Sequence, residues 1–134
     1  MKDWFILVIA HPVTLLFVGG GVGVNARYWI GRFVAQLQGP VEFPWATFFI
    51  NVSGSAILGI VAGCFLNHPD PDRRNWYLLL GAGFCGGFTT FSTFSLETLE
   101  MLQYRKFLAA GGYVIGSVLL GLAGVWLGLK LTGE

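Results

Sequence analysis

The stretch Gly86-Gly87-Phe88-Thr89-Thr90-Phe91-Ser92-Thr93-Phe94-Ser95 lies inside an apolar run that extends from Trp76 to Met101 and is long enough to cross a bilayer. Two adjacent glycines followed by hydroxyl side chains disfavour an unbroken helix. Glycine costs about 1 kcal/mol relative to alanine in a helix interior, and serine and threonine hydroxyls compete for backbone hydrogen-bond partners. In hydrocarbon, backbone groups freed by a break need protein, water or an ion. A broken transmembrane helix is therefore typical of an ion or substrate site.

The same stretch is also compatible with a loop between two short interfacial helices. The residues that follow the glycines favour a helix instead. Phe91 and Phe94 are three residues apart and so lie on one helical face. Ser95 and Thr98 extend that face, so aromatic rings and hydroxyls alternate along one stripe.

The composition is that of an all-α membrane protein. Of the 134 residues, 54% are hydrophobic and only 11% are charged, whereas soluble domains have roughly 25% charged residues. The 20 glycines suit close helix packing in lipid. The formal net charge of +1 predicts no nucleic-acid partner.

Four apolar segments predict four transmembrane helices in a single domain that covers residues 1–134. The predicted spans are approximately 4–34, 45–66, 76–104 and 107–131, with the third helix broken near its middle. We expect a hydrophilic turn at residues 67–75, which contain two prolines. In the fourth span, the patterns Gly112xxxGly116 and Gly124xxxGly128 predict helix packing.

Basic residues show almost no bias between the two sides of the membrane. With four spans, one side holds four basic residues and the other three: Lys2, Arg73, Arg74 and Lys130 against Arg32, Arg105 and Lys106. Because the Lys/Arg bias sets orientation, a chain without it can insert both ways. Polar stripes on several spans also need burial, which predicts self-association. The absence of charge bias makes an antiparallel dimer possible.

Individual polar residues leave alternatives open. Arg27, near the predicted membrane edge, either extends to lipid headgroups or places a positive charge at a pore mouth. Asn51 belongs to a row that also contains Thr47 and Ser55. Its amide either bridges to a neighbouring helix or donates N–H groups to a passing anion. Glu97, late in the third segment, is expected at an exposed interface.

These motifs together resemble those of the Fluc/CrcB family of fluoride channels. Residues 86–97 are similar to the family's signature, and three further groups stand where the family has its other motifs: Asn25-Ala26-Arg27-Tyr28, Asn51-Val52-Ser53-Gly54, and the row Tyr113/Ser117. The resemblance covers nearly the whole chain. Gly121, the next member of the last row, departs from the hydroxyl residue found in some members.

The resemblance implies a passive, fluoride-selective channel of the cell inner (plasma) membrane that exports cytoplasmic fluoride and confers fluoride resistance. It implies a dual-topology antiparallel homodimer in membrane lipid with two fluoride pathways. A structural sodium ion would be held at its centre by the backbone carbonyls of Gly86 and Thr89. The residues expected along the fluoride pathway are Arg27, Asn51, Phe91, Phe94, Ser95, Tyr113 and Ser117.

Three other classes of protein are weighed against this interpretation. A small dual-topology multidrug or cation exporter depends on a membrane-embedded carboxylate in its first helix, but the first span has only Asp3, at its start. A non-transporting assembly subunit would leave the track of hydroxyls and aromatic rings without a purpose. An enzyme is not expected, because the sequence presents no nucleophile–base pair or metal cluster.

Overall fold

The computed structural model describes residues 11–37, 43–66 and 70–133. Within these ranges every regular element is helical. The elements, in chain order, are α1 (Pro12–Leu37), α2 (Trp45–Phe65), α3 (Pro71–Trp76), a π-helical segment (Tyr77–Cys85), α4 (Gly86–Phe88), α5 (Phe91–Gln103) and α6 (Phe107–Leu131).

Three helical stretches of the described chain are long and apolar enough to cross a membrane: Trp45–Phe65, Asp72–Gln103 and Phe107–Leu131. The described part of the chain is thus all-helical, with several helices able to span a bilayer. Helix α1 has 26 residues but is not among the three, because polar residues such as Arg27 lower its hydropathy. Residues 4–10 of the first predicted span lie outside the described residues, so the count of four spans stays a prediction.

The third stretch begins earlier than the sequence predicts. Helix α3 starts at Pro71, where a solvated turn was expected as far as residue 75. The carboxylate of Asp70 caps it by accepting a hydrogen bond from the backbone N–H of Asp72 at 3.0 Å. Proline is favourable in the first helical turn, since the N–H it lacks would have no helical partner there. The proline that predicted a turn therefore begins a helix.

Helix α1 packs on the third stretch through direct contact between backbones. Gly19 and Gly23 are its buried residues. A Cβ at Gly19 would collide with the carbonyl oxygen of Leu79, and one at Gly23 would collide with that of Phe84. Only glycine permits this approach, which is how small residues act at helix interfaces in membranes.

Helices α2 and α6 also meet through glycines. A Cβ at Gly124 would lie 3.2 Å from the backbone nitrogen of Ala56, and one at Gly128 would lie 2.6 Å from that of Ile60. This pair of the predicted packing residues is therefore used within the protomer. A Cβ at Gly112 would meet nothing within 4 Å, so the predicted contact of that glycine is not made by the described residues.

The third stretch breaks where the glycine and hydroxyl residues predict. Helix α4 ends at Phe88, and the next two residues are extended: Thr89 has φ −80° and ψ 162°, and Thr90 has φ −151° and ψ 113°. Thr90 then caps α5, because its hydroxyl accepts the backbone N–H of Thr93 at 3.2 Å. The break is thus two residues long.

A tight turn joins α5 to α6. The N–H of Lys106 donates to the carbonyl of Met101 at 2.8 Å, and the N–H of Arg105 donates to that of Leu102 at 3.0 Å. This pair of bonds is the Schellman motif of helix C-termini, which places one residue in the left-handed region. Here that residue is Arg105, with φ 58°, where glycine is usual.

Candidate functional site

A cavity of about 450 Å³ lies beside the break. It brings together residues from α2, the π-helical segment, the break, α5 and α6. Six of the nine predicted site residues line it: Asn51, Gly86, Thr89, Phe91, Phe94 and Ser117. The other three, Arg27, Ser95 and Tyr113, do not line this cavity.

Side chains of α1 and α2 hold the break from two directions. Asn51 on α2 makes two bonds to one residue: its Nδ2 donates to the carbonyl of Thr90 at 3.1 Å, and its Oδ1 accepts the N–H of Thr90 at 2.8 Å. Arg27 on α1 donates from Nη1 to the carbonyl of Thr89 at 3.1 Å. Of the two alternatives for Asn51, the structure shows the bridge from α2 to another helical stretch. The guanidinium of Arg27, half-buried, binds backbone within the protomer.

The break leaves backbone carbonyls that fit a hard cation. In a continuous helix the N–H of Thr90 would donate to the carbonyl of Gly86, but it is bound to Asn51 instead. The carbonyl oxygen of Thr89 accepts one hydrogen bond, from Arg27. Because a carbonyl oxygen has two lone pairs, it can bind a second group. Gly86 is exposed, and a Cβ there would meet nothing within 4 Å. Carbonyl oxygens are suitable ligands for hard cations such as sodium.

The aromatic pair lies on the wall of the cavity. The ring centroids of Phe91 and Phe94 are 5.9 Å apart, with 40° between the ring planes. Phe94 is half-buried and packs against Tyr113, with ring centroids 4.9 Å apart. Phe91 is 80% exposed in the single chain, so it faces either lipid or a second protein surface.

Hydroxyl groups near the cavity differ in whether they have partners. The hydroxyl of Ser95 donates to the carbonyl of Phe91 at 2.9 Å, and that of Thr98 donates to the carbonyl of Phe94 at 2.7 Å. The Oγ of Ser117 is buried and has no hydrogen-bond partner in the described part of the chain. Buried hydroxyls are normally bonded, so Ser117 carries a donor that is free to bind another group.

Glu97 is a site residue that sequence reasoning missed. Its Oε1 accepts from the hydroxyl of Thr47 at 2.8 Å, and its Oε2 accepts from the hydroxyl of Tyr113 at 2.7 Å. The expectation of an exposed interface is wrong for this residue, because α2 and α6 bring donors to both oxygens. A signal was present: Glu97 lies three residues after Phe94, on the same face of α5.

Comparisons with known proteins agree with one another. The family model described as "CrcB-like protein, Camphor Resistance (CrcB)" matches residues 14–129. A protein of Rhodococcus jostii named "Fluoride-specific ion channel FluC 2" is 43% identical over 120 residues, which cover 90% of this chain and 97% of that protein.

Two further relatives carry the name "Fluoride-specific ion channel FluC". The protein of Oceanobacillus iheyensis is 40% identical over 123 residues, covering 90% of both chains. The protein of Paramagnetospirillum magneticum is 44% identical over 120 residues, covering 86% of this chain and 90% of the relative.

Proposed function

Because this chain belongs to the CrcB family, which is a family of ion channels and not of enzymes, we propose that it is a passive fluoride channel. In this proposal it resides in the cell inner membrane and lets cytoplasmic fluoride leave down its electrochemical gradient. Hydrogen fluoride crosses membranes as a neutral acid and dissociates inside. An exit pathway for the anion therefore confers fluoride resistance without ATP.

The observation that carries the proposal is that the wall of one cavity contains Phe91, Phe94 and Ser117, whose hydroxyl is buried and has no hydrogen-bond partner among the described residues. A small anion needs hydrogen-bond donors to replace its water, and Ser117 supplies one. Asn51 supplies another, since one of its two amide N–H groups is used at the break and one remains. The edges of the two aromatic rings carry partial positive charge. Residues with donor groups and the two aromatic residues thus line one space.

The other predicted pathway residues have supporting positions in this proposal. Tyr113 packs under Phe94, and its hydroxyl is held by Glu97. Ser95 is exposed on α5 and donates to its own helix. Arg27 is half-buried and places a positive charge at the break.

We further propose that two copies assemble as a dual-topology antiparallel homodimer with two fluoride pathways. The cavity is open on the protomer surface, and Gly86 and Phe91 in its wall are exposed. A second copy would cover them and complete the site. A structural sodium ion would then lie between the copies, held by the carbonyls of Gly86 and Thr89 from each. Carbonyl ligands would supply it with charge-neutral oxygens, and the break exposes them.

The test is fluoride efflux from liposomes that contain only this purified protein, with chloride efflux measured in parallel. We expect fluoride to leave down its own gradient and chloride to stay, with a potassium ionophore present so that outward potassium flow balances the charge of the departing anion. Protein-free liposomes treated in the same way give the background that is due to permeation of hydrogen fluoride. Chloride efflux equal to fluoride efflux would contradict the proposed selectivity.

The aromatic pair is tested in the same assay. Phe91→Ile and Phe94→Ile replace a ring edge, worth on the order of 1 kcal/mol, by aliphatic surface in the path of the anion. We expect fluoride flux per dimer to fall about fivefold, the rate factor that corresponds to about 1 kcal/mol. The matched control is Phe17→Ile, a phenylalanine of α1 that is 81% exposed and outside the cavity. Wild-type flux in both cavity variants would show that the two rings only fill space.

A further inference from the structure

The geometry points to Asn51 as the positioning residue that keeps the third stretch broken after Phe88 and leaves the carbonyl of Gly86 free for a cation. Asn51 does this by binding the one N–H that would otherwise close the helix onto Gly86. The inference rests on the proposed central sodium ion and assigns to α2 the control of its ligands.

The backbone hydrogen bonds locate the point where the helix stops. The N–H of Thr89 still donates to the carbonyl of Cys85 at 3.0 Å, four residues back, as in any α-helix. The next N–H, that of Thr90, would follow the same rule and donate to Gly86. It donates to Oδ1 of Asn51 at 2.8 Å instead. The helical ladder therefore ends one residue short of Gly86, at the bond that Asn51 replaces.

An asparagine is suited to this task by its chemistry. Its amide presents one acceptor and a donor pair in a plane. The N–H and C=O of Thr90 are bound at the same time, at 2.8 Å and 3.1 Å. An aspartate could still accept the N–H but has no donor for the carbonyl. A leucine, which has the same number of side-chain heavy atoms, could do neither.

The burial of Thr90 makes the bridge decisive. Thr90 is only 8% exposed, so water does not readily replace a lost partner, and an unsatisfied buried N–H is costly. Without the Asn51 amide, the nearest acceptor along the helix is the carbonyl of Gly86. If that bond forms, the carbonyl is taken from the cation. Sodium binding and the Asn51 bridge are thus coupled through a single N–H.

The experiment measures how the dimer responds to sodium. The thermal midpoint of dimer dissociation in detergent is recorded while sodium chloride replaces N-methylglucamine chloride at constant ionic strength. We expect the wild-type midpoint to rise with sodium. In Asn51→Leu we expect the sodium concentration for half of this effect to rise ~10-fold or more, the loss seen when residues that orient metal ligands are replaced.

Two further variants separate positioning from a general loss of stability. Asn51→Asp keeps the acceptor for the N–H of Thr90, so its half-effect concentration of sodium should stay at or below the wild-type value. Ser53→Ala removes an exposed hydroxyl of the same helix that donates to the carbonyl of Phe49, and its sodium response should equal the wild type. A merely structural asparagine would lower the thermal midpoint equally at all sodium concentrations.

Each outcome decides the inference. An Asn51→Leu dimer with a wild-type sodium response overturns it. If Asn51→Leu does not assemble, Asn51→Asp decides: a retained response supports the inference, and a lost response overturns it. A wild-type dimer that is indifferent to sodium overturns the central cation and the inference with it. Failure of the fluoride proposal is seen separately, as absent fluoride efflux from wild-type liposomes.

Discussion

Glu97 offers the sharpest prediction about stability. Two hydroxyl donors from different helices bind its carboxylate, Thr47 at 2.8 Å and Tyr113 at 2.7 Å. Tyr113 has no exposed surface and Thr47 is 5% exposed, so water cannot take their places readily. A hydrogen bond to a charged group is worth about 1.5–3 kcal/mol. We expect Tyr113→Phe and Thr47→Val each to lower the free energy of unfolding by that amount.

The double variant should cost more than the sum of the two changes. After one hydroxyl is removed, the carboxylate keeps the other. After both are removed, it has no donor from either helix, and the coupling between contacting residues is typically 0.5–3 kcal/mol. The free energy of unfolding can be measured in mixed micelles by titration with a denaturing detergent, with the five tryptophans as the fluorescent signal.

Ser117→Ala is the matched control for this series. It also removes a buried hydroxyl, but one without a hydrogen-bond partner among the described residues. We expect it not to lower the free energy of unfolding, because an unpaired buried hydroxyl is itself a cost to the folded state. If Tyr113→Phe costs no more than Ser117→Ala, the carboxylate is not held by Tyr113. An additive double variant would show that the two hydroxyls do not share it.

Gly86→Val should abolish dimer assembly, whereas Gly112→Val should not; a Cβ has open space at both sites within the protomer, but only Gly86 lines the cavity. Assembly is measured by size-exclusion chromatography with light scattering, and a normal Gly86→Val dimer would contradict the central site. Gly23→Ala should prevent recovery of folded protein, because its Cβ would lie 2.8 Å from the nitrogen of Phe88. Gly21→Ala, with open space around it, should fold normally and serves as its control. Arg105→Gly should raise the free energy of unfolding by up to about 1 kcal/mol by relieving the left-handed residue at φ 58°; a decrease would show that the Arg105 side chain stabilises the turn.

The sequence was most informative where local chemistry determines structure. The position of the break is indicated by two glycines and a run of hydroxyls, since these residues disfavour a helix. The packing of Gly124 and Gly128 follows likewise from their spacing on one face. Both features depend on residues close together in the chain.

Features that depend on a distant helix could not be predicted in this way. The last helical hydrogen bond before the break goes to the carbonyl of Cys85, and it is the last because Asn51, 39 residues from Thr90, binds the next N–H. The environment of Glu97 depends on Thr47, 50 residues away. A residue late in an apolar segment has the same sequence pattern whether it faces water or two donors. The π-helical segment Tyr77–Cys85 also has no local signature that we recognised.

The break has an electrostatic consequence that does not depend on side chains. At Phe88 a helix ends with carbonyls that have no partner within the helix, and at Phe91 another begins with N–H groups that have none. The first end carries a partial negative charge and the second a partial positive charge. Two residues of extended chain therefore separate a surface that attracts cations from one that attracts anions. Peptide dipoles do not titrate, so both attractions persist at low pH. At low pH more of the external fluoride is present as hydrogen fluoride, the neutral form that crosses membranes.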